Sequence, residues 1–198
     1  IDYGYDKGAR VFVMSFGYDG VFGRNKVYKA QYDNEAGAYE RVFRAYNDAV
    51  FIAAAGNEYT DLNLWLKDSL VYVPCMVNAS NVICVAGTNE DGRVFTVMVG
   101  NSIAGSNYGN MTVDVGAPGI NLQTSEVDGG YTVVAGTSYS APIVAAVCGM
   151  IKCVLGENER ARGDGDINLV KDILYAAGNM SGGGLPVISG KKVNMMNA

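Results

Sequence analysis

Apolar residues along the chain fall into two patterns, short unbroken runs and runs at helical spacing, and the two alternate. Val11-Phe12-Val13-Met14, Val50-Phe51-Ile52-Ala53-Ala54-Ala55 and Val82-Ile83-Cys84-Val85-Ala86-Gly87 are short and continuous, as strands buried on both faces are. Tyr39, Val42, Phe43 and Tyr46 instead recur three and four apart, with Glu40, Arg41, Arg44 and Asp48 on the other side, which predicts an amphipathic helix from about Asn34. Ile1 to Gly8 reads as the end of a helix with Ile1, Tyr5 and Tyr3 on its apolar side, closed by a basic last turn and Gly8. Leu169 to Ala177 reads as a further amphipathic helix. Tyr18 to Asp33 and Tyr59 to Ser69 show no clean period and are expected as loops, and Glu157 to Asp166 as a charged surface turn. Buried strands alternating with helices define an α/β chain.

Composition narrows the picture. At 198 residues the chain suits one core, so residues 1–198 are read as a single domain. Hydrophobic residues are 49% and charged ones 18%, and 26 Gly stand against 4 Pro, which fits a packed protein with many tight turns and excludes a disordered chain. A net charge of −5 with no basic patch beyond Lys191-Lys192 excludes nucleic acid as a partner. The runs Ala49 to Gly56 and Ile143 to Ile151 are both shorter than the ~20 apolar residues of a membrane span. Because the chain begins at Ile1, with no initiator Met or signal peptide, a processed product or a fragment is expected.

Cys75, Cys84, Cys148 and Cys153 lack metal-type spacing, and with no His in the chain no metal site is expected. Cys148 and Cys153 read as small core residues, while Cys75 with Cys84 either bridge or stay apart. Three glycan acceptor triplets, at Asn78, Asn110 and Asn179, permit a secreted protein.

Candidate chemistry gathers at Val134-Ala135-Gly136-Thr137-Ser138-Tyr139-Ser140-Ala141-Pro142, which runs into the apolar, small-residue stretch Ile143 to Ile151. Gly136 allows a close backbone approach, and Pro142 suits the first turn of a helix. Ser138 then sits at a helix entrance, beside backbone N–H groups and the positive end of the helix dipole, where a developing negative charge is stabilised. An N-cap serine is the plainer reading of such a segment taken alone. A second candidate is Gly56-Asn57-Glu58, directly after the run Val50 to Ala55, because loops at the carboxyl ends of parallel strands carry the chemistry of open sheets.

Gly136-Thr137-Ser138-x-Ser140-Ala141-Pro142 resembles the nucleophile segment of subtilisin-like serine proteases, the subtilases, and Ala53-Ala54-Ala55-Gly56-Asn57 resembles the segment whose Asn completes their oxyanion hole. Ser15-Phe16-Gly17 looks like the edge that pairs with the substrate backbone and borders the pocket for the residue before the scissile bond. Val71-Tyr72-Val73-Pro74 resembles the far wall of that pocket, where Tyr72 and Val73 hint at apolar selection. Thr88 to Phe95, Gly105-Ser106-Asn107-Tyr108-Gly109, Val113 to Gly119 and Gly190 to Asn194 follow in the family's order, so the resemblance covers nearly the whole chain.

The resemblance implies a three-layer fold, a mostly parallel sheet flanked by helices, with the N-terminal portion outside this chain. It implies Ser138 as nucleophile and Asn57 as oxyanion donor, with Ser15, Phe16, Gly17, Ala54, Ala55, Gly56 and Thr137 around the substrate. Peptides are then the substrates, a pro-segment inhibitor is a conceivable partner, and the compartment is extracellular. A serine nucleophile needs a base, in this family a His oriented by an Asp, and both precede the serine in the order Asp, His, Ser. With no His present, both are expected upstream of Ile1, and Asp2, Asp6 and Asp19 fall too late to serve. The family's tightest calcium loop lies upstream too, so any calcium belongs there. Two further readings are a non-catalytic subtilase relative that binds peptides at the Ser15-Phe16-Gly17 edge and an unrelated α/β ligand-binding domain.

Overall fold

A computed structural model describes residues 1–18, 26–68, 70–160, 167–180, 184–194 and 196. A six-stranded sheet organises them, in the order β1 (Val11–Met14), β2 (Val50–Ala54), β3 (Val82–Thr88), β6 (Val115–Pro118), β10 (Lys191–Lys192), β9 (Asn179–Met180). Its neighbours are parallel, except that β9 runs antiparallel to β10. Two antiparallel ribbons lie apart from it, β4 (Thr96–Val99) with β5 (Ser102–Gly105) and β7 (Leu122–Ser125) with β8 (Tyr131–Val134).

The unbroken apolar runs of β2 and β3 are explained by burial on both faces, whereas β1, expected to be buried too, lies at the end of the strand order with Val13 exposed and only Met14 buried. Along β2, Val50, Ile52 and Ala54 join Ile83 and Val85 of β3 in a core shared with α4 (Thr137–Arg160) and α5 (Ile167–Ala177), through Val144, Val147, Cys148, Ile151, Val170 and Leu174. The alternate residues Phe51, Ala53 and Ala55 join Cys84 and Ala86 in a second core beneath α2 (Lys26–Ala45) and α3 (Leu62–Lys67). There Phe51 lies between Phe12 and Phe43, with ring centroids 5.3 and 4.3 Å away. Successive strand residues point to opposite faces, so one run feeds two cores, and the three layers follow.

Several expectations change. α2 starts at Lys26, not Asn34. Its C-terminal end and the turn after it are gathered by Asn81, whose Nδ2 donates to the carbonyls of Phe43, Tyr46 and Ala49 at 2.8–3.0 Å. Within the expected loop Tyr59 to Ser69, Leu62–Lys67 is helical, because Asp61 caps it by accepting from the Asn63 N–H at 2.9 Å and because Leu62 and Trp65 are buried. α4 runs on through Arg160 into the expected surface turn, while 161–166 lie outside the described residues. α1 (Asp2–Asp6) ends as expected, but Tyr5 alone of its predicted apolar side packs inward, leaving Ile1 and Tyr3 exposed.

The stretch Thr137–Leu155 of α4 is long and apolar enough to cross a membrane by length and composition, unlike the shorter run expected. Here it packs on β1, β2, β3 and β6 as a core helix of the sheet. Cys75 and Cys84 form a disulfide, and Cys148 is buried. Cys153 is exposed rather than in the core, since five residues place it about 140° further round the helix than Cys148. Beneath the sheet, Asp114 is buried and takes the Cys84 N–H at 2.7 Å, the Tyr175 hydroxyl, and the Lys171 ammonium at 3.2 Å. Burial, with that carboxylate beside it, raises the Tyr175 phenol well above the usual tyrosine range.

Candidate active site

β1 and β2 are parallel neighbours in register, Met14 beside Ala53, so the segments that follow them leave the sheet side by side at its carboxyl edge. These are Ser15-Phe16-Gly17 and Ala55-Gly56-Asn57. α4 begins at the same edge, which brings Ser138, 123 residues along the chain, onto Ser15. The Ser138 hydroxyl donates to the Ser15 carbonyl at 3.0 Å, and the Ser15 hydroxyl donates to the Ser138 carbonyl at 2.7 Å.

This reciprocal pair has a cause in the sequence. Pro142 is the sixth residue of α4, not in its first turn as expected, and it has no N–H to give the carbonyl four residues back. That carbonyl belongs to Ser138, and the Ser15 hydroxyl satisfies it instead. Ser138 is half-buried in the first helical turn, where its own N–H has no acceptor within the helix.

Thr137, fully buried, ties the second segment to the helix. Its N–H donates to Asn57 Oδ1 at 2.9 Å, its hydroxyl donates to the same oxygen at 3.2 Å, and it accepts the Gly56 N–H at 3.1 Å. A backbone N–H can only donate, so the amide of Asn57 is oriented with its oxygen inward. Its Nδ2 has no acceptor among the described residues, and the residue is exposed. Gly56 has φ 99°, and a Cβ there would lie 2.5 Å from Asn107 Nδ2 and 2.6 Å from the Tyr72 ring, so no other residue fits.

Asn107 has no site role in the sequence reading, yet it holds the whole turn. Fully buried, it donates through Nδ2 to the Ala55 carbonyl at 2.9 Å and Glu58 Oε2 at 2.6 Å, and through its N–H to the Gly56 carbonyl at 2.9 Å. Its Oδ1 accepts the Thr60 N–H at 2.9 Å. Nothing local marks it, because its partners lie about 50 residues away. Asn107→Ala should cost about 1–3 kcal/mol by leaving the Ala55 carbonyl and Thr60 N–H unpaired, which chemical denaturation checks.

The other expected substrate residues divide. Phe16 is exposed and Gly17 half-buried at the edge. Ala54 and Ala55 point their side chains into the two cores, and the Ala55 and Gly56 backbone groups are engaged within the protein, so these three form a wall. Burial pushes the Cys148 thiol up to about 12, which keeps it protonated at neutral pH. Among the described residues no cluster of His, Cys, Asp or Glu could hold a metal ion.

The arrangement is thus a serine in the first turn of a core helix, facing an inward-locked asparagine across the carboxyl edge of a parallel sheet. The chain belongs to the subtilase family, peptidase S8, whose profile matches residues 1–164. No curated protein matches it by sequence. Among solved structures it is similar to the prenylagaramide maturation protease PagA, with 20% identity, a TM-score of 0.65, and coverage of 99% of this chain and 62% of that one. It is similar to a lanthipeptide protease, with 16% identity, a TM-score of 0.68, and coverage of 99% and 62%. The epidermin leader peptide processing serine protease EpiP from Staphylococcus aureus gives 19% identity, a TM-score of 0.71, and coverage of 98% and 51%. At these identities the likeness is one of fold, and the chain spans about half to six-tenths of those proteins.

Proposed function

We propose that this chain is the nucleophile-bearing part of a serine endopeptidase. Ser138 Oγ attacks the peptide carbonyl carbon, and its proton passes to an imidazole supplied from outside these 198 residues, which contain no His. The charge developing on the carbonyl oxygen is held by Asn57 Nδ2 and the Ser138 N–H. Collapse expels the amine, which takes the proton from the imidazolium, and leaves an acyl group on Ser138. Water, deprotonated by the same base, then releases the acid.

The fixed Asn57 amide beside Ser138 carries this reading: two donations from Thr137 hold its oxygen and leave the NH₂ for an incoming acceptor. A substrate strand along Ser15-Phe16-Gly17 would present its carbonyl there. Labelling of Ser138 in the full-length protein by a serine-directed phosphonate, with loss of peptide cleavage, tests it.

The Cys75–Cys84 disulfide supports an extracellular setting, and Asn78, Asn110 and Asn179 are exposed. Material secreted by a eukaryotic cell should lose mass on glycosidase treatment; an unchanged mass would remove these sites from the argument.

A further inference from the structure

We propose that Tyr72 closes the pocket for the residue before the scissile bond, so that the enzyme cleaves after small side chains, glycine, alanine or serine. The proposal rests on the endopeptidase reading above and names the substrate class of that site.

A peptide whose carbonyl sits between Ser138 and Asn57, and whose backbone follows Ser15 to Gly17, must send that side chain between the two segments leaving β1 and β2. The Tyr72 ring occupies this gap. A Cβ on Gly17 would lie 2.4 Å from Tyr72 Cε1, and one on Gly56 would lie 2.6 Å from Tyr72 Cζ. One ring therefore rests on the α-carbons of glycines from both walls, and it is only 4% exposed. The two glycines make room for the ring, and the ring takes the room a large substrate side chain would need.

The segment that carries the ring is also held in place. The Tyr72 backbone N–H donates to Met76 Sδ at 3.2 Å, the Tyr72 carbonyl takes the Met76 N–H at 2.8 Å, and the Tyr18 N–H donates to the Val73 carbonyl at 3.1 Å. Trp65 packs 5.9 Å from the Tyr72 ring, centroid to centroid. Three residues on, Cys75 is bonded to Cys84 in the middle of the sheet. A segment anchored on both sides does not swing out to admit a bulky group. The apolar lining expected from Tyr72 is thus a filling rather than a wall.

The test is a pair of chromogenic peptides, identical but for Ala or Phe before the scissile bond, assayed with the full-length protein. The wild type should favour Ala by about 10²-fold in kcat/KM. Tyr72→Phe should keep that preference, because the ring and not its hydroxyl excludes the substrate. Tyr72→Ala should raise the Phe-to-Ala ratio at least about tenfold. If Tyr72→Ala does not fold, Tyr72→Leu carries the same comparison with a buried apolar side chain retained. A wild-type preference for Phe, or a ratio unmoved in a folded Tyr72 variant, overturns the proposal and leaves the endopeptidase reading standing. Cleavage of neither peptide, with no label on Ser138, overturns both.

Discussion

Ser138→Ala in the full-length protein should lower kcat for peptide hydrolysis by about 10⁶-fold, the scale set by the nucleophile of a subtilisin, with KM little changed. The hydroxyl is the only group the mechanism converts into a covalent intermediate, and residual catalysis would come from binding and the oxyanion donors alone. Folding should survive: the mutation removes one exposed hydrogen bond, to the Ser15 carbonyl, worth at most about 0.5–1.5 kcal/mol. The return bond from the Ser15 hydroxyl to the residue-138 carbonyl involves no Ser138 side-chain atom and remains. Steady-state kinetics with a circular dichroism control checks both halves. Activity within tenfold of wild type would remove Ser138 from the chemistry.

Asn57→Ala should lower kcat by about 10²–10³-fold at nearly constant KM, since the amide donates only once charge reaches the carbonyl oxygen. Alanine also leaves the Thr137 N–H without its acceptor, so a loss of activity could reflect a displaced helix start. Asn57→Asp separates the two. It keeps an oxygen for the Thr137 N–H and hydroxyl but replaces the NH₂ donor with a carboxylate oxygen. It should be folded and at least as inactive as Asn57→Ala. Recovery of activity in Asn57→Asp would show that Asn57 acts by holding Thr137 and not as a donor.

The strands were legible because a residue buried on either face must be apolar, and Val50 to Ala55 and Val82 to Gly87 are apolar throughout. The start of α2 was not, since Lys26 to Asp33 mixes aromatic and charged residues without a clear period. α3 carried a readable signal, Asp61 ahead of Leu62 and Trp65, that the surrounding polar residues hid. Ser138 and Asn57 stood out through their segments, but their coupling did not. The Ser15–Ser138 pair and the Thr137–Asn57 lock span 123 and 80 residues, and only the parallel register of β1 and β2 and the placement of α4 bring them together. Asn107 was invisible as a site residue for the same reason, and Tyr72, legible as a pocket wall, gave no sign that its ring reaches glycines of both segments: a buried amide and a buried ring acquire their roles from neighbours the local sequence does not name.

The most direct measurement is mass-mapped labelling with a serine-directed phosphonate, on the full-length protein and on the 198-residue chain alone, each paired with a peptide-cleavage assay. The full-length protein should take one label, on Ser138, and lose cleavage in proportion. The isolated chain, with no imidazole to accept the Ser138 proton, should neither label nor cleave. A full-length protein that cleaves peptides while Ser138 stays unlabelled, or an isolated chain that cleaves efficiently with no other chain present, would contradict the account.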